Sequence, residues 1–179
     1  MLYYPTFGNH LLSYHLDIDN SILLEKSISV LNSPLAYSTN IGDENQSFNT
    51  MRTATNKRVT TYPYVRTNQE ANPHTWDEFN PILDFMHTLP NFERITQSWL
   101  GLSLPGGSLG EHVHRTKHSV FIYYVNINES HPQTRFYINN EWVSFNAVPG
   151  DCVYFADSIL HDVPVNYGSG DRIVISADI

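Results

Sequence analysis

Three of the nine histidines in this chain fall inside one short run, GEHVHRTKHSVFIYYVN at residues 110–126. Neutral imidazole is a common metal ligand, and side chains two apart on a strand share a face. His112 and His114 therefore point to one side and can reach a single ion, with Glu111 and Val113 opposite. Glu111 joins them only through a bulge, and the polar turn RTK argues against binding by His118. An HxH pair alone suits a polar surface strand equally well. His161, in PGDCVYFADSILHDVPV, follows a turn, a strand and a short loop and opens another strand. Taken alone it reads as an ordinary histidine, but if strands distant in sequence lie face to face it completes a site with the pair. Arg172, in GDRIVIS, begins the last strand and shares a face with Val174 and Ser176. A guanidinium aimed into a small β-sandwich needs an anion, because an unpaired buried charge is very costly. Its planar fork fits the carboxylate of a bound acid, or a structural partner among the eighteen acidic residues.

These residues lie in a half of the chain patterned for strands. From Gln97 onward QSWLGLSL, GEHVHR, HSVFIYYVN, TRFYI, EWVSF, DCVYF, HDVPV and DRIVISADI read as eight short strands. The breaks PGGS, NESHP, NN, VPG and YGSG carry the turn residues. That spacing predicts an antiparallel sandwich or small barrel of jelly-roll type. Residues 1–95 carry helical signals instead. DNSILLEKSISVLNSP predicts a helix with Leu24, Ile28 and Leu31 on its apolar face, Asp19 or Asn20 as cap and Pro34 beyond its end. NPILDFMHTLP predicts a second, with Asn80 as cap, Pro81 at the first position and Ile82, Phe85, Met86 and Leu89 inward. TWDE, from Thr75 to Glu78, offers a rival capping box. The polar segment 33–75 reads as loops and short strands. Its Arg52, Lys57 and Arg58 suggest either a specificity-bearing border of the site or a surface loop on the far side.

Composition sets the limits. At 179 residues the chain forms one domain, 1–179, with 1–95 as a supporting helical and loop part and 96–179 as the β core. Hydrophobic content of 41% is globular, and the 13% aromatic fraction favours sheet. A net charge of −8 argues against general nucleic-acid or membrane-surface binding. The single cysteine, Cys152, excludes an internal disulfide and reads as a buried apolar thiol within a strand. No apolar run approaches the roughly 20 residues needed to span a bilayer, and no signal peptide opens the chain. A cytoplasmic protein is expected.

The order HxH, strand, GD, His and then Arg on the final strand resembles the Fe(II)- and 2-oxoglutarate-dependent oxygenases. HVH…IYYVN is similar to the HxD…YYLN segment of the prolyl-hydroxylase-like branch, and the HxH form to a small group in phages and bacteria. The resemblance covers about residues 96–179. It implies a double-stranded β-helix (jelly roll) supported by α-helices, with Fe(II), 2-oxoglutarate and O2 as cofactor and cosubstrates. It implies His112 and His161 as metal ligands, Arg172 on the distal carboxylate of 2-oxoglutarate, and Ser176 and Tyr124 assisting. His114 stands where that family carries a carboxylate; as a third ligand it leaves the centre one charge more positive. The activity implied is hydroxylation of a protein side chain, an amino acid or a small metabolite, on a small-molecule or peptide substrate. Cupins share the barrel, and Gly106 and Gly150 precede His112 and His161 at cupin spacing. A three-histidine iron centre there would act as in thiol dioxygenases, but cupins need no arginine on the last strand. A metal-free jelly roll binding sugar or protein through Trp142 and Tyr167 leaves His112, His161 and Arg172 without a common purpose.

Overall fold

The computed structural model describes residues 2–4, 11–39, 58–114 and 119–179. In chain order the elements are strand β1 (Leu2–Tyr4), strand β2 (Leu11–His15), helix α1 (Ser21–Leu31), strands β3 (Tyr37–Thr39) and β4 (Arg58–Thr60), and helix α2 (Asn80–Met86). There follow β5 (Gln97–Ser103), β6 (Leu109–His112), β7 (Ser119–Asn126), β8 (Thr134–Ile138), β9 (Glu141–Phe145), β10 (Asp151–Ala156), β11 (His161–Val163) and β12 (Arg172–Asp178). All eight strands expected after Gln97 are present.

Two antiparallel sheets form a jelly roll. The larger runs β1-β2-β10-β7-β12-β5-β4-β3, the smaller β6-β11-β8-β9. Strand alternation divides the apolar residues between two cores. Val120, Ile122 and Tyr124 of β7 face inward and pack with Val153, Phe155 and Val174 against Phe136, Ile138 and Phe145 of the small sheet. Phe121, Tyr123 and Val125 face outward, where α1, α2 and Trp76 cover them. Cys152 lies in this outer core at 0% exposure, and burial pushes its thiol pKa up, so it is a packing residue. The two-residue turn between β8 and β9 is Asn139-Asn140, both at positive φ (53° and 67°), the geometry that matches hairpin twist.

The N-terminal part departs from the helical reading. α1 and α2 form, and Ile82, Phe85, Met86 and Leu89 are buried as expected. Between them, however, lie short 3-10 turns, and four strands extend the large sheet: β2 pairs with β10, and β4 with β5. Segments as short as Leu11–His15 and Arg58–Thr60 carry too few residues for a periodic signal; the partner strand decides them.

The buried face of α1 is Leu23, Ser27, Val30 and Leu31, while Ile28 is 43% exposed. Both faces have helical spacing, and the polar Ser27 conceals the buried one. Asn20 does not cap α1 through its side chain; its Oδ1 accepts from the Tyr123 hydroxyl at 2.6 Å, and Asp19 Oδ1 accepts from the Ser21 N–H instead. Asn80 is the first residue of α2 rather than its cap. The Thr75 hydroxyl donates to the Gln69 and Asn72 carbonyls, so TWDE forms no capping box.

Candidate metal centre and anion pocket

His112 and His161 are direct partners across the β6–β11 ladder. Opposed residues bring their Cβ atoms to roughly 5 Å, which accounts for ring centroids 4.1 Å apart. His114 lies two residues past the end of β6, where its backbone N–H donates to the Asp157 carbonyl at 2.9 Å. Its ring stands 5.4 Å from that of His112 and 5.2 Å from that of His161. One nitrogen from each ring lies within 4.8 Å of the others, a group that could hold a metal ion.

The other ring nitrogens explain which atoms are on offer. His112 Nδ1 donates to the Gly110 carbonyl at 2.9 Å, and His161 Nδ1 to the Ile159 carbonyl at 2.9 Å. His114 Nδ1 donates to Asp178 Oδ1 at 2.7 Å. With every Nδ1 engaged as a donor, Nε2 is the nitrogen each ring has left to offer a metal, the arrangement that orients metal-binding imidazoles. Phe155 meets the His161 ring edge-on at 4.9 Å, and Trp99 stacks on His114 at 5.7 Å. Burial holds the His112 pKa down at about 4 and that of His161 well below its usual value. Both rings are therefore neutral donors near pH 7.

Those shifts set a pH dependence for the metal-free protein. Between the folded and unfolded pKa values the unfolded chain binds more protons, so stability falls as pH drops below 6.5. For His112 the loss is about 1.4 kcal/mol per pH unit, continuing down to the folded value near 4. Urea midpoints of metal-free protein at pH 7.5 and 5.5 should show it. The His112→Gln variant should have a flatter profile.

Arg172 is 2% exposed and points into the space between the sheets. Nε donates to the Pro132 carbonyl at 3.1 Å and Nη2 to Thr134 Oγ1 at 2.9 Å. The guanidinium lies 5.6 Å from the centre of the Tyr124 ring, and the Tyr124 hydroxyl also donates to Thr134 Oγ1, at 2.8 Å. Burial pushes the Tyr124 pKa up to about 12 and that of Arg172 down. Among the described residues no carboxylate forms an ion pair with Arg172. Ser176 shares the inner face, opposite Trp99 and Ile122, with no hydrogen bond to Arg172. Asp162, beside His161 in sequence, is engaged by Arg135 through Nε at 2.9 Å.

The structure adds residues that the sequence did not single out. Thr134 joins Tyr124 to Arg172, and Asp178 holds His114. Arg58, expected in a loop, is 8% exposed on β4 and opposes Ser103, whose other neighbour across the sheet is Arg172. Its Nη2 occupies the space over Gly101, only 2.5 Å from where a Cβ would sit. Burial, followed by the nearby Arg172 charge, pulls the Arg58 pKa down to about 10. Arg58 also lowers the His112 pKa, so its field reaches both the arginine pocket and the histidines. Alternation could have revealed Asp178, which follows 172, 174 and 176 on one face. Arg52, Lys57 and His118 lie outside the described residues.

No family model matches the sequence, and no curated protein matches it either. Solved structures do. A prolyl-4-hydroxylase from Pseudomonas putida superposes with a TM-score of 0.68 at 13% identity, covering 95% of this chain and 92% of that one. A prolyl hydroxylase from Trichoplax adhaerens, solved with a hypoxia inducible factor peptide fragment, gives 0.67 at 13% identity over 95% and 83%. The epimerase SnoN from nogalamycin biosynthesis, in complex with Fe3+, alpha ketoglutarate and nogalamycin RO, gives 0.70 at 10% identity over 94% and 77%. The chain thus has the jelly-roll fold of the 2-oxoglutarate- and iron-dependent oxygenases, the fold its motifs led one to expect.

Proposed function

We propose that this protein is a non-haem Fe(II)- and 2-oxoglutarate-dependent oxygenase, with hydroxylation of a protein side chain, an amino acid or a small metabolite as its reaction. One observation carries the reading. Three imidazoles that present Nε2 to a common point share a barrel interior with a buried arginine that has no described carboxylate partner. Open positions on a three-histidine ion suit a chelating cosubstrate, and an unpaired guanidinium suits the far carboxylate of a dicarboxylic acid. The presence of iron and alpha ketoglutarate in the SnoN complex is consistent with that pairing.

In this reading His112, His114 and His161 hold Fe(II). Arg172 binds the distal carboxylate of 2-oxoglutarate and is oriented by Thr134 and by the face of Tyr124. Ser176, on the same face, contributes to the cosubstrate pocket. When bound, the ion, 2-oxoglutarate and O2 supply the oxidising power, with the oxo acid leaving as succinate and CO2. The chain's own task is to position and to exclude water. Phe136, Phe155 and Trp99 supply apolar walls around the histidines. The substrate is a small molecule or a peptide; the net charge of −8 disfavours nucleic acid. Among the described residues no helix is long and apolar enough to cross a membrane.

The three-histidine set by itself also suits a cupin-type metalloenzyme, and Arg172 separates the two. Purified protein with Fe(II), ascorbate and 2-oxoglutarate should form succinate even without its true substrate, slowly and above a metal-free control. Absence of turnover, together with absence of 2-oxoglutarate binding, would move the assignment to the cupin type.

A further inference from the structure

The three histidines are not held alike. His112 and His161 each donate Nδ1 to a backbone carbonyl two residues earlier, a tie that costs the fold no other side chain. His114 has left β6, and it alone donates to a carboxylate. That carboxylate, Asp178, is 3% exposed at the end of β12. Its Oδ1 accepts from His114 at 2.7 Å and its Oδ2 from Gln97 Nε2 at 2.6 Å. Its backbone carbonyl accepts from the Thr96 N–H at 2.8 Å and the Thr96 hydroxyl at 3.0 Å. The residue is thus pinned on both sides, and the stack of Trp99 on His114 fixes the ring plane.

Among the described residues no lysine or arginine forms an ion pair with Asp178; its partner is His114. A buried carboxylate whose partner is an imidazole rather than a lysine or arginine lacks a permanent countercharge, and a dication held by three imidazoles among aromatic walls would lack one as well. Each supplies what the other lacks, with His114 between them.

We infer that Asp178 is a positioning residue of the metal centre: through His114 Nδ1 it fixes His114 as the third ligand and supplies the negative charge that three imidazoles leave out. The inference rests on the proposed metal site. It goes further in naming the residue that orients His114 toward the ion and offsets its charge. A core ion pair between Asp178 and a protonated His114 would use the same contact but would not couple to metal.

Cobalt(II) titration, read by affinity and by its visible ligand-field spectrum, separates these cases in four proteins: wild type, Asp178→Asn, His114→Ala and the double variant. Asparagine keeps the shape and an acceptor oxygen but removes the charge. Asp178→Asn should weaken Co(II) binding roughly 10- to 100-fold and shift the spectrum, while far-UV circular dichroism stays unchanged. In the His114→Ala background the same substitution should have no further effect on affinity, because its influence runs through that ring. Affinity within about twofold of wild type, or an equal loss with and without His114, would overturn the inference and leave a structural ion pair. If Asp178→Asn fails to fold, Asp178→Ala repeats the cycle with the same two outcomes. No Co(II) binding by wild type would overturn the metal centre itself, a result distinct from either.

Discussion

Replacing His112 or His161 by alanine should abolish Fe(II) binding and leave a folded protein. The loss should exceed the roughly 100-fold that removal of an outer-shell partner can cause, because a donor atom itself is gone. The fold should survive because the bond each ring makes is local. Deleting it orphans one backbone carbonyl, at Gly110 or Ile159, at a cost of about 1–3 kcal/mol. His161 carries the larger packing cost, being 2% exposed against Phe136 and Phe155. Equilibrium dialysis against Fe(II) under anaerobic conditions, with circular dichroism alongside, decides the matter. Full iron affinity in both variants would refute the site.

The second large effect concerns Arg172. The Arg172→Met variant preserves most of the side-chain volume and removes the charge. Lost charge-assisted hydrogen bonds are worth about 1.5–3 kcal/mol, so the Kd for 2-oxoglutarate should rise roughly 10- to 150-fold, with iron affinity unchanged. The metal-free variant should melt no lower than wild type. A guanidinium at 2% exposure, bonded among the described residues to a carbonyl and a hydroxyl and lying over Tyr124, is costly to keep where no acid is bound. A lower melting temperature with undiminished 2-oxoglutarate binding would assign Arg172 to structure instead.

Much of the β core was legible because its signals are local. The Asn139-Asn140 turn, Gly150 before β10 and the 120/122/124 alternation each constrain a few consecutive residues. His112 and His114 were legible for the same reason, since a period of two predicts their common side even though β6 ends at His112. The join of His161 to them needed the further premise that distant strands meet, which the His161–His112 pairing bears out. What the sequence concealed depends on strand order. Arg58 looked like one of three loop cations because nothing local says that β4 pairs with β5, bringing it into one row with Ser103 and Arg172. Thr134 and Gln97 are unremarkable polar residues until β8 faces β12 and β5 lies beside it. On α1, Leu31 is buried and Leu24 half-buried as expected, but Ile28 is exposed, because the polar Ser27 takes the fully buried position beside it. Asp178 explains why a histidine can stand where a carboxylate is usual in the resembling family: a carboxylate remains, one hydrogen bond farther out.

The central claim is that three histidines and Arg172 form one site for a metal and a 2-oxo dicarboxylate, and its test need not await the true substrate. Anaerobic calorimetric titration of 2-oxoglutarate into Fe(II)-loaded and metal-free protein measures that coupling directly. Saturable one-to-one binding to the loaded protein is expected, at least about tenfold weaker without metal and weakened again by Arg172→Met. Binding that is indifferent to both the metal and Arg172, or no binding to the loaded protein, would contradict it.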